Sequence, residues 1–345
     1  LLDRLANVRD DEGWSALMIA AAMGHASIAA LLLDRGAEVD ATHRDGISAL
    51  HRAADAGRVE VIDVLCMGGA AVDKPDSRGR TALLRACRAG HPEAAKRLLE
   101  DGALPDAPDR DGVTPLIAAA MRGHVEVIRV LVDSRAAVDG ADRKGMTALT
   151  RACFHGRAEA IGALLESGAS LEGVDGAKMT PLGAACLHGD VETVTLLLDR
   201  GASVNGPNAD GVTPLIAAAM YGRADVVRFL LDREADVTAK AAGGWTALMC
   251  ATEKGHAEVV EILEESSGER LDEPPVELVA DEAVERDQRL IAAAREGDLD
   301  RVKELVEAGA DLSARNKYGW SALMEAGSEG HAEVVDFLRD RGAGD

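Results

Sequence analysis

Apolar residues recur along the chain in two alternating registers, the first closed in every unit by a glycine and the second in many. In the first register Leu stands three places before Ala: Leu17 and Ala20, Leu50 and Ala53, Leu83 and Ala86, and so on to Leu323 and Ala326. Residues three apart share one face of a helix, and Ala on that face admits a neighbouring helix closely. A Gly follows four places later, from Gly24 to Gly330, where a helix ends in the left-handed conformation that a side chain disfavours. Three residues beyond it, nine of ten units carry Asp or Glu (Glu60, Glu126 and Glu258 among them; Ser27 is the exception). A carboxylate suits the positive end of a helix dipole, so a second helix starts there. Its Val, Ile and Leu are periodic, and Gly36, Gly102, Gly168, Gly201 and Gly309 stop it. The AxVDA-type segments and Gly-bearing turns that follow read as hairpins. In Thr114-Pro115, Thr180-Pro181 and Thr213-Pro214 a hydroxyl cap precedes a proline at the first helical position.

The predicted unit is therefore hairpin, short helix, reversal and longer helix, and it repeats every 33 residues. The stretch DGVTPLIAAAM stands at 111–121 and again at 210–220, three periods apart. Eight units run without a gap from turn positions Gly13, Gly46, Gly79, Gly112, Gly145, Lys178, Gly211 and Gly244, and two more follow around Arg286 and Gly319. One such unit cannot bury its own apolar face, whereas stacked neighbours can. The expectation is an all-α repeat solenoid, elongated and curved, on the order of 100 Å long at roughly 10 Å per layer.

The segment GVTPLIAAAMRGHVEVIRVLVDSRAAVDGADRKG resembles the ankyrin repeat, and the resemblance extends over nearly the whole chain. His51 alone occupies the His place of the family's T-P-L-H core; His25, His91, His124, His256 and His331 each follow the helix-ending Gly and read as structural. Residues 1–12 look like the tail of a truncated preceding repeat, since LLDRLANV echoes LLLDRGAEV, and with no initiator Met the chain reads as part of something longer. Repeats one to eight take 13–263. Residues 264–287 are an acidic insert with two prolines, expected to be partly loop. Residues 288–345 hold two further repeats. The first of these, LIAAAREGDLDRVKELVEAGADLSARN, resembles the polar capping repeat that opens many ankyrin arrays, so a second stack is expected to start there.

Composition narrows the chemistry. Apolar residues make up 47% and aromatics 2%, so the interior is filled by aliphatic side chains, which suits close-packed helices. Cys87, Cys153 and Cys186 are spaced by the repeat period and not by metal-ligand distances. They read as small core residues of an intracellular, cytoplasmic protein in a reducing compartment. No apolar run approaches the length of a membrane span. A net charge of −22 disfavours nucleic acid and anionic membrane as partners. GAKMT at 176–180 lacks phosphate-loop spacing, and GWSAL and GISAL lack the second Gly of a nucleophile elbow. No cofactor, metal site or catalytic set is expected.

What remains is the distribution of rings and cations. The resemblance implies that partners are read by the hairpin tips and the exposed face of the first helix, which line the concave side. Trp14, Trp245, Trp320, Tyr318, Phe154 and Tyr221 all fall on those places, and aromatic anchors are what interfaces use. So do Arg78, Arg80, Arg85 and Arg88 in repeat three, Arg110 and Arg122 in repeat four, and Arg143, Lys144 and Arg151 beside His155 in repeat five, against Asp111 alone. With Met121, Phe154, Met220 and Tyr221 as apolar anchors, this strip is expected to dock an acidic segment of a protein partner. The expected function is a non-catalytic interaction scaffold. The alternative is a regulatory or targeting module of a larger enzyme or effector.

Overall fold

A computed structural model describes residues 6–172, 179–268, 282–314, 321–329 and 331–341. The chain divides into two compact units, residues 1–270 and 271–345. In the first unit, first helices such as Ala16–Met23, Ala82–Ala89, Pro115–Arg122, Pro181–His188, Pro214–Met220 and Ala247–Lys254 alternate with second helices such as Ala26–Asp34, Pro92–Glu100 and Val191–Asp199. Each first helix packs on the next first helix and on its own second helix, and second helices pack on the next except between Ala158–Glu166 and Val191–Asp199. Contacts thus run between neighbours, as a stack of units that cannot fold singly requires.

The repeated residues do the work that their chemistry suggests. The alanines at the helix–helix seam, Ala53, Ala86, Ala119, Ala152, Ala185, Ala218 and Ala251, are 0% exposed. The hydroxyls of Thr81, Thr114, Thr147, Thr180, Thr213 and Thr246 each accept the backbone N–H three residues on, which caps the first helix. The helix-ending glycines from Gly24 to Gly297 all have positive φ. At the stop of the second helix, Arg135 (φ 62°) and Glu234 (φ 63°) hold the same left-handed conformation without being glycine.

The hairpins are tight turns and not strands. Among the described residues only isolated pairs such as Thr42 with Ser48 and Ala141 with Thr147 bridge them. Two ladders tie neighbouring hairpins together. Asp40, Asp73, Asp106 and Asp139 each accept the backbone N–H of the residue 31 positions later. At the tips, Ser77 N–H donates to Asp45 O, Arg110 N–H to Arg78 O and Arg143 N–H to Asp111 O. This approach needs glycine: a Cβ on Gly79 or Gly112 would come within 2.9 and 2.8 Å of the following tip's nitrogen.

The acidic stretch is more helical than its composition suggests. Residues 264–267 prolong the second helix of repeat eight, Ala257–Ser267, and 282–287 open the long helix Glu282–Glu296; residues 269–281 lie outside the described residues. The second unit packs Leu290, Ala294, Val302, Ala326 and Leu338 into a core of its own.

Candidate interaction surface

The residue after each helix-ending Gly decides how neighbouring repeats are joined. Nε2 of His91, His124, His256 and His331 lies 3.0–3.3 Å from a carbonyl oxygen 36 residues earlier, at the end of the preceding first helix. Arg157 and Arg223 make the same clamp through Nε, to Met121 O and Leu187 O. The ring or guanidinium lies over the preceding repeat's glycine, so a Cβ on Gly90 would meet His124 at 2.6 Å. In repeat six the place is taken by Asp190, which caps its own helix by accepting from Glu192 N–H and Thr193 N–H. His91, His124, His256 and His331 are thus structural.

The expected cationic strip separates into two sets. Asp76 and Asp142 sit three places before a turn Gly, with their carboxylates turned inward to accept backbone N–H groups of the turn. Arg85, only 7% exposed, donates through Nε and Nη2 to Asp76 (3.3 and 3.0 Å) and through Nη1 to Asp55. Arg80 also pairs with Asp76, at 2.8 Å, and Arg151 pairs with Asp142 through Nε at 2.9 Å. Arg80, Arg85 and Arg151 are therefore corrected from reading residues to internal ion pairs. The ratio of nine cations to one carboxylate overlooks Asp55, Asp76 and Asp142. Burial pushes the Asp76 carboxyl up, yet the N–H donors of Arg80, Arg78 and Arg85 outweigh it and hold it at about 2. His51, whose Nε2 meets Arg80 O at 3.0 Å, is pushed down by burial and by Arg85.

The other cations are free. Arg78, Arg88, Arg110, Arg122, Arg143 and Lys144 are exposed, and among the described residues none has a carboxylate within ion-pair distance. Arg88 is pushed down by burial and then by Arg80, Arg122, Arg78 and Arg85. His155 is pushed down by burial and by Arg157, Arg151, His188 and Arg122. Its Nε2 has no partner, and Phe154 stands edge-on to its ring at 5.3 Å. A cleft of about 200 Å³ between repeats three and four is lined by Leu84, Val113 and Met121, by Arg88 and Arg122, and by Asp109 and Asp111.

The apolar anchors collect farther along. Met220 and Trp245, with Val212 and Ile216, line a cleft of about 310 Å³ between repeats seven and eight. Met220 and Tyr221, with Met179 and Leu187, line one of about 110 Å³ between repeats six and seven. Trp14 is spent internally, under Arg52 at 4.1 Å and edge-on to His43. Tyr318 and Trp320 lie outside the described residues. Sequence reasoning missed the inward aspartates, the clamps and Gly183. The first had a signal, because Asp76 precedes Arg85, and Asp142 precedes Arg151, by the same nine residues.

Comparison with known proteins places the architecture. The family profile described as Ankyrin repeats (3 copies) matches residues 36–109, 105–175, 169–241 and 276–344, and that described as Ankyrin repeat matches 12–44 and 243–269. The chain is an ankyrin repeat protein. The crystal structure of the human ASB11 ankyrin repeat domain superposes with a TM-score of 0.59 and 32% identity, covering 65% of this chain and 99% of that one. Two mouse relatives are the ankyrin repeat, SAM and basic leucine zipper domain-containing protein 1, 42% identical over 59 residues, and 2-5A-dependent ribonuclease, 41% identical over 61 residues. Each match takes 17% of this chain but only 12% and 8% of those proteins. Ankyrin repeats in general are a non-catalytic module for protein–protein interaction. Among the described residues no helix is long and apolar enough to cross a membrane.

Proposed function

We propose that this ankyrin repeat protein is a non-catalytic scaffold that binds an acidic segment of another protein. The segment lies along the face made by the hairpin tips and first helices of repeats three to five. One observation carries the reading: Arg78, Arg88, Arg110, Arg122, Arg143 and Lys144 are exposed and unpaired in a chain of net charge −22. In so acidic a molecule, surface cations have many carboxylates within reach, and six that stay unpaired on one face make a local positive field suited to an acidic ligand. The test is binding of an acidic peptide and of RNA to the full chain across a salt series. Affinity for the peptide falls with salt, because exposed charges are screened beyond roughly 8 Å at physiological ionic strength. Arg88→Glu with Arg122→Glu slows association and leaves the urea midpoint in place. Unchanged association of the acidic peptide, or tighter binding of RNA, overturns the reading.

A second reading has support from the relatives. In 2-5A-dependent ribonuclease the matched repeats are a small part of a named enzyme, so these repeats would target or regulate a catalytic region elsewhere in a longer protein. The full open reading frame decides between the two.

A further inference from the structure

Gly183 stands inside the first helix of repeat six, where its counterparts Ile117 and Ile216 are fully buried. Glycine weakens a helix interior, and repeats four and seven demonstrate that the same helix accommodates Ile. The hairpin residue paired with it is Met179, where repeats four and seven have Val113 and Val212, and Thr180 Oγ1 and Met179 Sδ lie 3.1 and 3.7 Å from where a Cβ of Gly183 would be. The larger methionine fills only part of the missing volume, and about 110 Å³ stays open between Gly183, Met179 and Tyr221, the last 48% exposed. The larger cleft lined by Trp245 shares Val212 and Met220 with it. The result is two apolar hollows, one repeat apart, on the face that carries the unpaired cations.

We infer that these hollows take two apolar side chains of the same acidic segment that docks on repeats three to five. The inference rests on the function proposed above, and charge and continuity select the occupant. The cleft that Arg88 and Arg122 line together with Asp109 and Asp111 lies between repeats three and four, and the hollows lie between six and seven and between seven and eight. Arg143 and Lys144 of repeat five continue the cationic face from the first towards the second. At roughly 10 Å per repeat and about 3.3 Å per extended residue, the hollows hold side chains about three positions apart. The acidic cluster lies about nine residues from the nearer one. The occupant is thus a linear segment of about thirteen residues, acidic at one end and bearing an apolar pair, with an aromatic suited to the cleft lined by Trp245, at the other.

The test is selection of random 16-residue peptides displayed on phage against the full chain, followed by interferometry of the selected peptides. Peptides carrying both an acidic cluster and an apolar pair are expected to be enriched. They should bind Gly183→Ile and Trp245→Ala each at least ten-fold more weakly, with faster dissociation. Gly183→Ile fills the hollow with the residue native to repeats four and seven, so its urea midpoint stays level or rises. That direction separates a lost site from a damaged fold. Should Gly183→Ile lower the midpoint, Trp245→Ala alone decides. Full affinity for the deciding variants overturns the apolar half, and if association still slows with Arg88→Glu and Arg122→Glu the proposed function stands. Apolar enrichment without an acidic cluster overturns the proposed function and this shared-segment inference, leaving two apolar hollows only. No enrichment overturns both.

Discussion

Replacing Arg85 by Glu is the sharpest test of the division between paired and unpaired cations. Arg85 bridges Asp76 and Asp55, and its side chain and that of Asp76 are 8% and 1% exposed. Reversal removes both bonds and sets a third carboxylate against the two, so a cost of about 3–5 kcal/mol follows from breaking a buried pair. Arg85→Met costs less, about 1–3 kcal/mol, because Asp76 keeps Arg80 at 2.8 Å and the N–H groups of Arg78 and Arg80 at 2.8 and 2.9 Å. Arg122→Glu, at an exposed and unpaired cation lining the cleft between repeats three and four, should stay within about 0.5 kcal/mol of wild type. Urea titration followed by helix circular dichroism ranks the three. Because long repeat arrays need not unfold in one step, the comparison is of the transition assigned to repeats two to four by hydrogen exchange. High salt should not rescue Arg85→Glu, since buried charges are poorly screened. Equal midpoints for Arg85→Glu and Arg122→Glu would refute the reasoning and return Arg85 to the reading surface.

Acid should expose the same cluster. The Asp76 carboxyl is held at about 2, below its ordinary 3.8, so the folded state binds fewer protons. Its contribution, roughly 2 kcal/mol, is whole above pH ~4 and lost as pH falls towards ~2, and Asp76→Asn should flatten stability in that window. Glu234→Gly should stabilise by up to about 1 kcal/mol, because the left-handed strain of an L-residue outweighs the unfolded-state entropy that glycine adds; a lower midpoint contradicts this. Gly90→Ala should cost more than Gly102→Ala although both have positive φ, since only the former's Cβ meets a clamp, His124 at 2.6 Å. All five cysteines are free. Iodoacetamide at pH 8 should nonetheless label them slowly, because burial pushes the Cys87, Cys153, Cys186 and Cys250 thiols up and partial burial with Asp101 holds Cys66 at about 12; rapid labelling of the four buried thiols before unfolding would contradict their burial.

The fold was legible because each unit is held by residues whose chemistry is local. Leu and Ala at fixed spacing, a Thr cap and a terminating Gly are read one repeat at a time, and the structure uses them as the spacing implies. The surface was less legible because a linear pattern does not tell which way a side chain turns. Arg85 and Arg88 lie on one short helix, three residues apart. Arg85 leans back to a hairpin aspartate nine residues earlier, whereas Arg88 lines a cleft. The cross-repeat clamps were hidden for a different reason. They join residues 36 apart, one period plus three, and a search at the period aligns equivalent positions without pairing the ones that touch.

Within one sequence the repeats serve as each other's reference, and departures from their pattern mark where selection has acted for something besides packing. Three fall in repeat six: Lys178 at the turn Gly, Gly183 inside the first helix, and Asp190 at the clamp. The first lies outside the described residues. The second opens a hollow, and the third leaves this repeat without the donor that His124, Arg157, Arg223 and His256 give to their neighbours. A repeat with one interface bond fewer and a glycine in its helix opens more readily than those beside it. A ligand that fills the hollow restores the lost contacts there first. Hydrogen exchange at 179–188 should therefore slow more on binding a selected peptide than at the fully clamped Pro115–Arg122. Equal slowing in both helices would mean that the hollow is a packing defect with no share in recognition.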